Sequence, residues 1–210
     1  MARIVKQAAE RRDEILDAAG RLFVTRGYEA TTIADLLEAV GIARGTLYHH
    51  FRSKEEVLDA LIRRHGDRML EGLRGVVASP LPPTQKFMAG IAAMSPQDPE
   101  QAALIDALGR SADTALFAKS LEDLMQRMAP VIAEVVHEGV ATGEMRTAHP
   151  LEATRILLAA THALLDNPAL AWSAEQRTAQ FAALLDAAER LLGTEPGAFA
   201  AIAAVPGDHS

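Results

Sequence analysis

The chain is expected to be all-α: an N-terminal three-helix helix-turn-helix unit joined through a long helix to a larger helical domain. Three observations predict this. Apolar residues recur at three- and four-residue spacing through nearly all of the 210 residues, which gives each helix one buried stripe. The composition is rich in Ala and Leu and poor in Tyr and Trp, with two and one respectively, and it favours helix over strand. Gly27, Gly41, Gly143 and the proline-rich SPLPP and SPQDP stretches fall where periodic segments stop.

In RRDEILDAAGRLFVTRGYEA, Ile15, Ala19, Leu22 and Phe23 make one stripe, and Gly27 stands where a left-handed terminator is needed. TTIADLLEAVG follows, with Thr31 or Thr32 as N-cap, Ile33, Leu36, Leu37 and Val40 on one face, and Gly41 at the end. A second short segment, Arg44 to Phe51, turns Leu47 and Phe51 inward as an i, i+4 pair and leaves Arg44, Thr46, Tyr48 and His49 outside. Two short helices around a glycine-containing turn, with one polar face left over, make a helix-turn-helix. Ser53 to Glu56 reads as a capping box, with Ser53 bonding the Glu56 amide and Glu56 reaching back to Ser53. It opens a long helix with Val57, Leu61, Met69 and Leu73 on its inner side.

Downstream, the prolines place a helix over about Thr84 to Ala93 and another from near Pro99. Thr114 to Thr142 reads as one helix kinked at Pro130. Leu151 to Leu165 and Ser173 to Leu192 are two more. The domains are expected at 1–65, 66–193 and a tail at 194–210 that is disordered or loosely packed.

Composition excludes several function classes. Cysteine is absent, which removes disulfide frameworks, thiolate metal sites and cysteine nucleophiles and fits a reducing compartment. No apolar run has the length of a signal peptide core or a membrane span, so a cytoplasmic location is expected. The net charge of -7 argues at first against a polyanionic partner. It averages unlike parts, however: residues 1–65 hold 11 basic and 10 acidic side chains, and the rest hold 10 and 18. No acid occurs between Glu38 and Glu55, while Arg44, Arg52 and Lys54 do. One end of the chain is therefore suited to a phosphate backbone.

The stretch from about Arg11 to Ile62 resembles the DNA-binding domain of the TetR family of bacterial transcriptional repressors. Gly27-Tyr28, Thr31-Thr32, Ile33-Ala34, Gly41-Ile42, Gly45-Thr46-Leu47-Tyr48, Phe51, Ser53-Lys54-Glu55 and Leu58 carry the resemblance in order and spacing. It implies a homodimer that binds a palindromic double-stranded DNA operator and is released by a small-molecule effector held in the C-terminal helical domain. In the major groove Arg can meet guanine O6 and N7, and Thr a base edge or a thymine methyl, so Arg44 and Thr46 are the expected base readers. Tyr48 and His49 are expected on backbone phosphate. Lys54 and Thr32, at helix starts, are expected to add phosphate bonds. His50 is taken to point away from Thr46, as a packed side chain or a minor phosphate contact. Arg52 is read as a solvated charge, and Arg3, Lys6, Arg11 and Arg12 as a basic arm or mobile terminal charges.

The resemblance also implies that the last two long helices form a four-helix interface with a twofold mate. The candidate faces are Ile156, Ala160, Ala163 and Leu164 on one, and Phe181, Leu184, Leu185, Ala188 and Leu192 on the other. Candidates for the effector lining are Phe87, Met88, Phe117, Leu121, Met125, Met128, His137, His162 and Trp172, with Arg110 and Asp166 as polar contacts.

Enzymatic and metal readings fail on spacing. Glu134 and His137 match one Glu-x-x-His half-motif, but a di-iron bundle needs two. His137-Glu138 begins a zincin-like pattern that Ala141 breaks. No P-loop, dinucleotide fingerprint or nucleophile elbow occurs. No cofactor is expected.

Overall fold

The computed structural model describes residues 2–94, 102–104, 114–165 and 170–203, without the side chains of 2–7, 114–118 and 201–203. The described elements are helices: α1 Ala2–Arg26, α2 Ile33–Val40, α3 Arg44–His50, α4 Lys54–Val77, α5 Pro83–Met94, α6 Thr114–Thr142, α7 Pro150–Leu164, α8 Ala174–Leu192 and α9 Ala198–Ala203. The helix expected near Pro99 falls largely outside the described residues, which are helical at 102–104. The chain divides into two compact units, residues 1–68 with 96–124, and residues 69–95 with 125–210.

The first unit closes around Leu16, Phe23, Leu36, Leu47, Phe51, Leu58 and Leu61, all buried. The expected stripes of α1 to α3 supply most of them, and each such side chain contributes about 1.5 to 3 kcal/mol on burial. α1 begins earlier than its apolar stripe. Residues 2–10 extend it as helix rather than as a loose arm, since Ala, Lys, Gln, Glu and Arg are strong helix formers. α2 ends at Gly41, whose φ of 70° is left-handed. Its amide bonds the Leu37 and Glu38 carbonyls, and α3 begins three residues later at Arg44.

Two details of α4 depart from expectation. The Glu56 amide does bond the Ser53 hydroxyl, but the Glu56 carboxylate accepts from the Arg52 amide at 2.6 Å rather than from that of Ser53. Farther along, Leu70 is buried where Met69 was expected, and Met69 is half-buried. The inner stripe shifts by one residue along a 24-residue helix, since a straight helix has 3.6 residues per turn and drifts from a strict repeat.

In the second unit α6 runs through Pro130, and Met128, Ile132, Val135 and Val136 are buried. Gly139 allows Met145 to fold back against it, because a Cβ there would stand 2.7 Å from the Met145 sulfur. α5 starts at Pro83 with a Glu144 carboxylate on its first turn, accepting from the Thr84 amide and hydroxyl at 3.1 and 2.9 Å. Lys86 is buried and pairs with both Glu138 oxygens at 3.0 and 2.8 Å. α7 packs on α8.

The tail is neither disordered nor loose where it is described. α9 packs on α8 and α5, and the wholly buried Phe199 ring stacks on that of Phe87 at 5.2 Å. The buried Glu189 carboxylate takes the Gly197 and Phe199 amides at 2.7 and 2.8 Å, capping the start of α9.

Candidate nucleic-acid interface

α3 is held from beneath by Leu47 and Phe51, at 0% and 1% exposure, so its opposite side is free to meet a ligand. Arg44 and His49 are exposed, Tyr48 is 45% exposed, and Thr46 is half-buried. The Arg44 guanidinium carbon stands 5.9 Å from the Tyr48 ring centre. Stacking of that kind steadies a long side chain before it meets a base. The structure thus brings Arg44, Thr46, Tyr48 and His49 onto the outside of one helix. His50 does not turn away from Thr46. Four residues along a helix share a side, and both are half-buried.

At the start of α2, Thr32 is the N-cap. Its hydroxyl accepts from the Asp35 amide at 3.2 Å and donates to the Asp35 carboxylate at 2.6 Å, while the Thr32 amide donates to that carboxylate at 2.8 Å. The Thr32 hydroxyl hydrogen is therefore already committed to Asp35. The Thr32 hydrogen bonds, with the nearby Arg26 charge, hold the Asp35 carboxyl below its ordinary value. Arg26 pairs with Asp35 at 2.8 Å, joining the end of α1 to the start of α2.

Lys54 is placed differently from expectation. Its ammonium points into the turn between α1 and α2, donating to the carbonyls of Tyr28, Thr31 and Glu29 at 2.8, 3.0 and 3.4 Å and lying 4.2 Å from the centre of the Tyr28 ring. An ammonium has three donors, and three carbonyls take them. It closes a turn, so a direct phosphate bond is not what this geometry offers. Glu55 beside it is held below its ordinary value, first by the Ser53 hydroxyl and its own amide, then by the Tyr28 hydroxyl and the Lys54 charge.

Sequence spacing assigned Tyr28 no structural role and offered Thr31 only as an alternative N-cap to Thr32. Tyr28 packs edge-on against Phe23 with ring centres 5.2 Å apart. Thr31 is fully buried, with its hydroxyl donating to the Gly27 carbonyl at 2.7 Å. One signal was available: a lysine in the first turn of a helix opposes the helix dipole and so requires an acceptor of its own.

The effector candidates do not act alike. Phe87, Met88 and Met128 are buried core, and Phe87 spends its ring on Phe199. Leu121, Met125, His162 and Trp172 are half-buried, and the Trp172 indole donates to the Leu164 carbonyl at 2.8 Å. His137 is exposed, with Nδ1 2.7 Å from the Ala133 carbonyl. The Phe117 side chain, Arg110, Asp166 and the side chains of Arg3 and Lys6 lie outside the described residues. Among those described, no group of three or more His, Asp or Glu could hold a metal ion, and no helix is long and apolar enough to cross a membrane.

The face expected on α8 divides. Leu185, Ala188 and Leu192 are buried within the chain, whereas Phe181 is 37% exposed and Leu184 half-buried. On α7, Ile156 is 56% exposed while Ala153, Thr154 and Leu157 form the buried side.

Residues 15–61 match the family model described as bacterial regulatory proteins, tetR family. The chain is 33% identical over 150 residues to the HTH-type transcriptional repressor KstR2 of Mycobacterium tuberculosis, covering 70% of this chain and 74% of that one. Among solved structures, Salmonella enterica GusR superposes with a TM-score of 0.66 at 26% identity, covering 88% of this chain and 96% of its own. SmeT of Stenotrophomonas maltophilia, solved in complex with triclosan, superposes with a TM-score of 0.64 at 22% identity, covering 94% and 96%.

Proposed function

Because the chain belongs to the TetR family of bacterial regulatory proteins, whose members are DNA-binding regulators rather than enzymes, we propose that it is a cytoplasmic repressor that binds a palindromic operator as a homodimer. The observation that carries this reading is the outer side of α3, where Arg44, Thr46, Tyr48 and His49 stand on a helix anchored by two buried side chains, with no acid between Glu38 and Glu55. Arg44 and Thr46 read base edges in the major groove. Tyr48 and His49 meet phosphates, which set register without reading sequence, while Thr32 spends both its donors on Asp35 and fixes the start of α2. Lys54 acts through the turn it closes.

One short recognition helix gives weak binding, and a twofold pair reads two half-sites a helical turn apart. The apolar side chains left on α7 and α8, Ile156 and Phe181 with Leu164 and Leu184 beside them, supply the surface for the second copy. Residues 1–65 serve as the DNA-binding domain and 66–193 as the effector and dimerisation domain. KstR2 is named a repressor, and the same fold holds a small molecule in SmeT. An effector bound among the later helices releases DNA by favouring dimers whose heads do not fit adjacent grooves, a population shift that requires it to prefer that state.

Selection of bound sites from random duplex DNA by the purified chain at two salt concentrations tests the reading. An enriched palindrome whose retention falls steeply with salt is expected. No enrichment at either concentration overturns it.

A further inference from the structure

We propose that Arg11 and Arg12 of α1 join His49 and His50 of the recognition helix in a phosphodiester-binding cluster, one that takes up a proton as a DNA phosphate enters it. The inference rests on the regulator reading above and adds α1 to the surface that touches DNA.

Four observations place the cluster. The Arg12 guanidinium lies over the Phe51 ring, 5.0 Å from its centre, and Phe51 is the buried residue that ends α3. The first half of α1 therefore runs beside the last turn of the recognition helix. There the His49 and His50 rings pack edge to face with centres 5.2 Å apart. Arg11 stands one residue before Arg12 and is paired to Glu14 of its own helix. His50 lies on the Thr46 side of α3, so an anion held here continues the line of phosphates that meets that helix.

Glu14 already offsets Arg11, and the positive charge that remains beside His50 disfavours its protonation until a further anion arrives. Burial first, then the charges of His49, Arg12 and Arg11, lower the pKa of His50 from its ordinary 6.5. In the free protein its imidazole is thus neutral near pH 7. A phosphodiester carries one negative charge, offsets that repulsion and favours the imidazolium. The bound form then holds more protons than the free form at the same pH, so affinity must rise as pH falls.

The test is operator affinity of the full-length protein at pH 7.5 and pH 6.0, with its salt dependence at each. The wild type is expected to bind at least roughly threefold tighter at pH 6.0, against a limit of about tenfold per pH unit for each proton taken up. Its logarithmic salt slope should steepen by about one per subunit as the extra cation meets phosphate. His50→Gln should lose both changes. Arg12→Gln, at an exposed position, should give a shallower salt slope at both pH values. Affinity independent of pH, a pH response that survives in His50→Gln, or one that disappears with His49→Gln alone overturns the proposal while leaving the regulator reading intact. Failure to retain duplex DNA at either pH overturns both.

Discussion

Lys54 reaches back across 26 residues to donate to the Tyr28 carbonyl at 2.8 Å, with the same ammonium 4.2 Å from the centre of the Tyr28 ring. One side chain thereby ties the first turn of α4 to the turn between α1 and α2. α3 lies between these two in sequence and carries the outward side chains. Its presentation depends on that tie as well as on Leu47 and Phe51 beneath it.

Lys54→Met should therefore destabilise the free protein. It leaves part-buried carbonyls without their charged donor and removes the contact with the Tyr28 ring, a loss of about 2 to 4 kcal/mol. Thermal melting without DNA measures this. If Lys54 were a phosphate ligand alone, the melting temperature would be unchanged and only the salt slope of DNA binding would fall, by about one per subunit.

Arg44→Ala should relax preference at particular base pairs by about 1 to 3 kcal/mol, because a guanidinium on guanine distinguishes that base from the others. Tyr48→Phe removes a hydroxyl expected on phosphate and should weaken all sequences alike. Competition across single-base operator variants separates the two. A uniform loss for Arg44→Ala removes it from the base readers.

What the sequence made legible follows from how local each feature is. Leu47 and Phe51, four apart, announce their own burial, and Gly41 its left-handed turn, because spacing and glycine chemistry are read within a few residues. The Lys54 ammonium was misplaced because its acceptors are 23 to 26 residues away and no periodicity encodes them. Phe199 was missed for a similar reason: a six-residue helix, AFAAIA, shows too little pattern to mark a core element, and only its docking on Phe87 and the Glu189 cap fix it. On α8 the apolar positions outnumber those one interface can bury, so spacing alone could not tell Leu192 from Phe181.

Acid should loosen the head through Asp35 and Glu55. Both carboxyls titrate below their ordinary 3.8 and 4.5, so the folded form holds fewer protons than the unfolded one around and just below those values. The stabilisation they give is complete above about pH 5 and drains away as pH falls through the lower, folded-state values. Thr32→Val removes the hydroxyl that is the largest cause of the Asp35 shift. It should flatten the fall in the urea midpoint between pH 5 and pH 3; an unchanged acid limb would place the effect elsewhere.

Ile156 and Leu192 make opposite predictions from similar chemistry. Ile156 is 56% exposed on α7 and Leu192 wholly buried at the end of α8. A charge introduced by Ile156→Glu meets water in a single chain but would be trapped without a partner between two. It should split the proposed homodimer, as read by sedimentation, lower operator affinity, and leave the melting of the separate chain little changed. Leu192→Ala instead opens a cavity inside the chain, at a cost of about 2 to 5 kcal/mol, and should lower the melting temperature whatever the protein concentration. If Ile156→Glu stays dimeric at micromolar concentration, the second copy sits on another surface, and Phe181 and Leu184 must be explained by something other than a twofold mate.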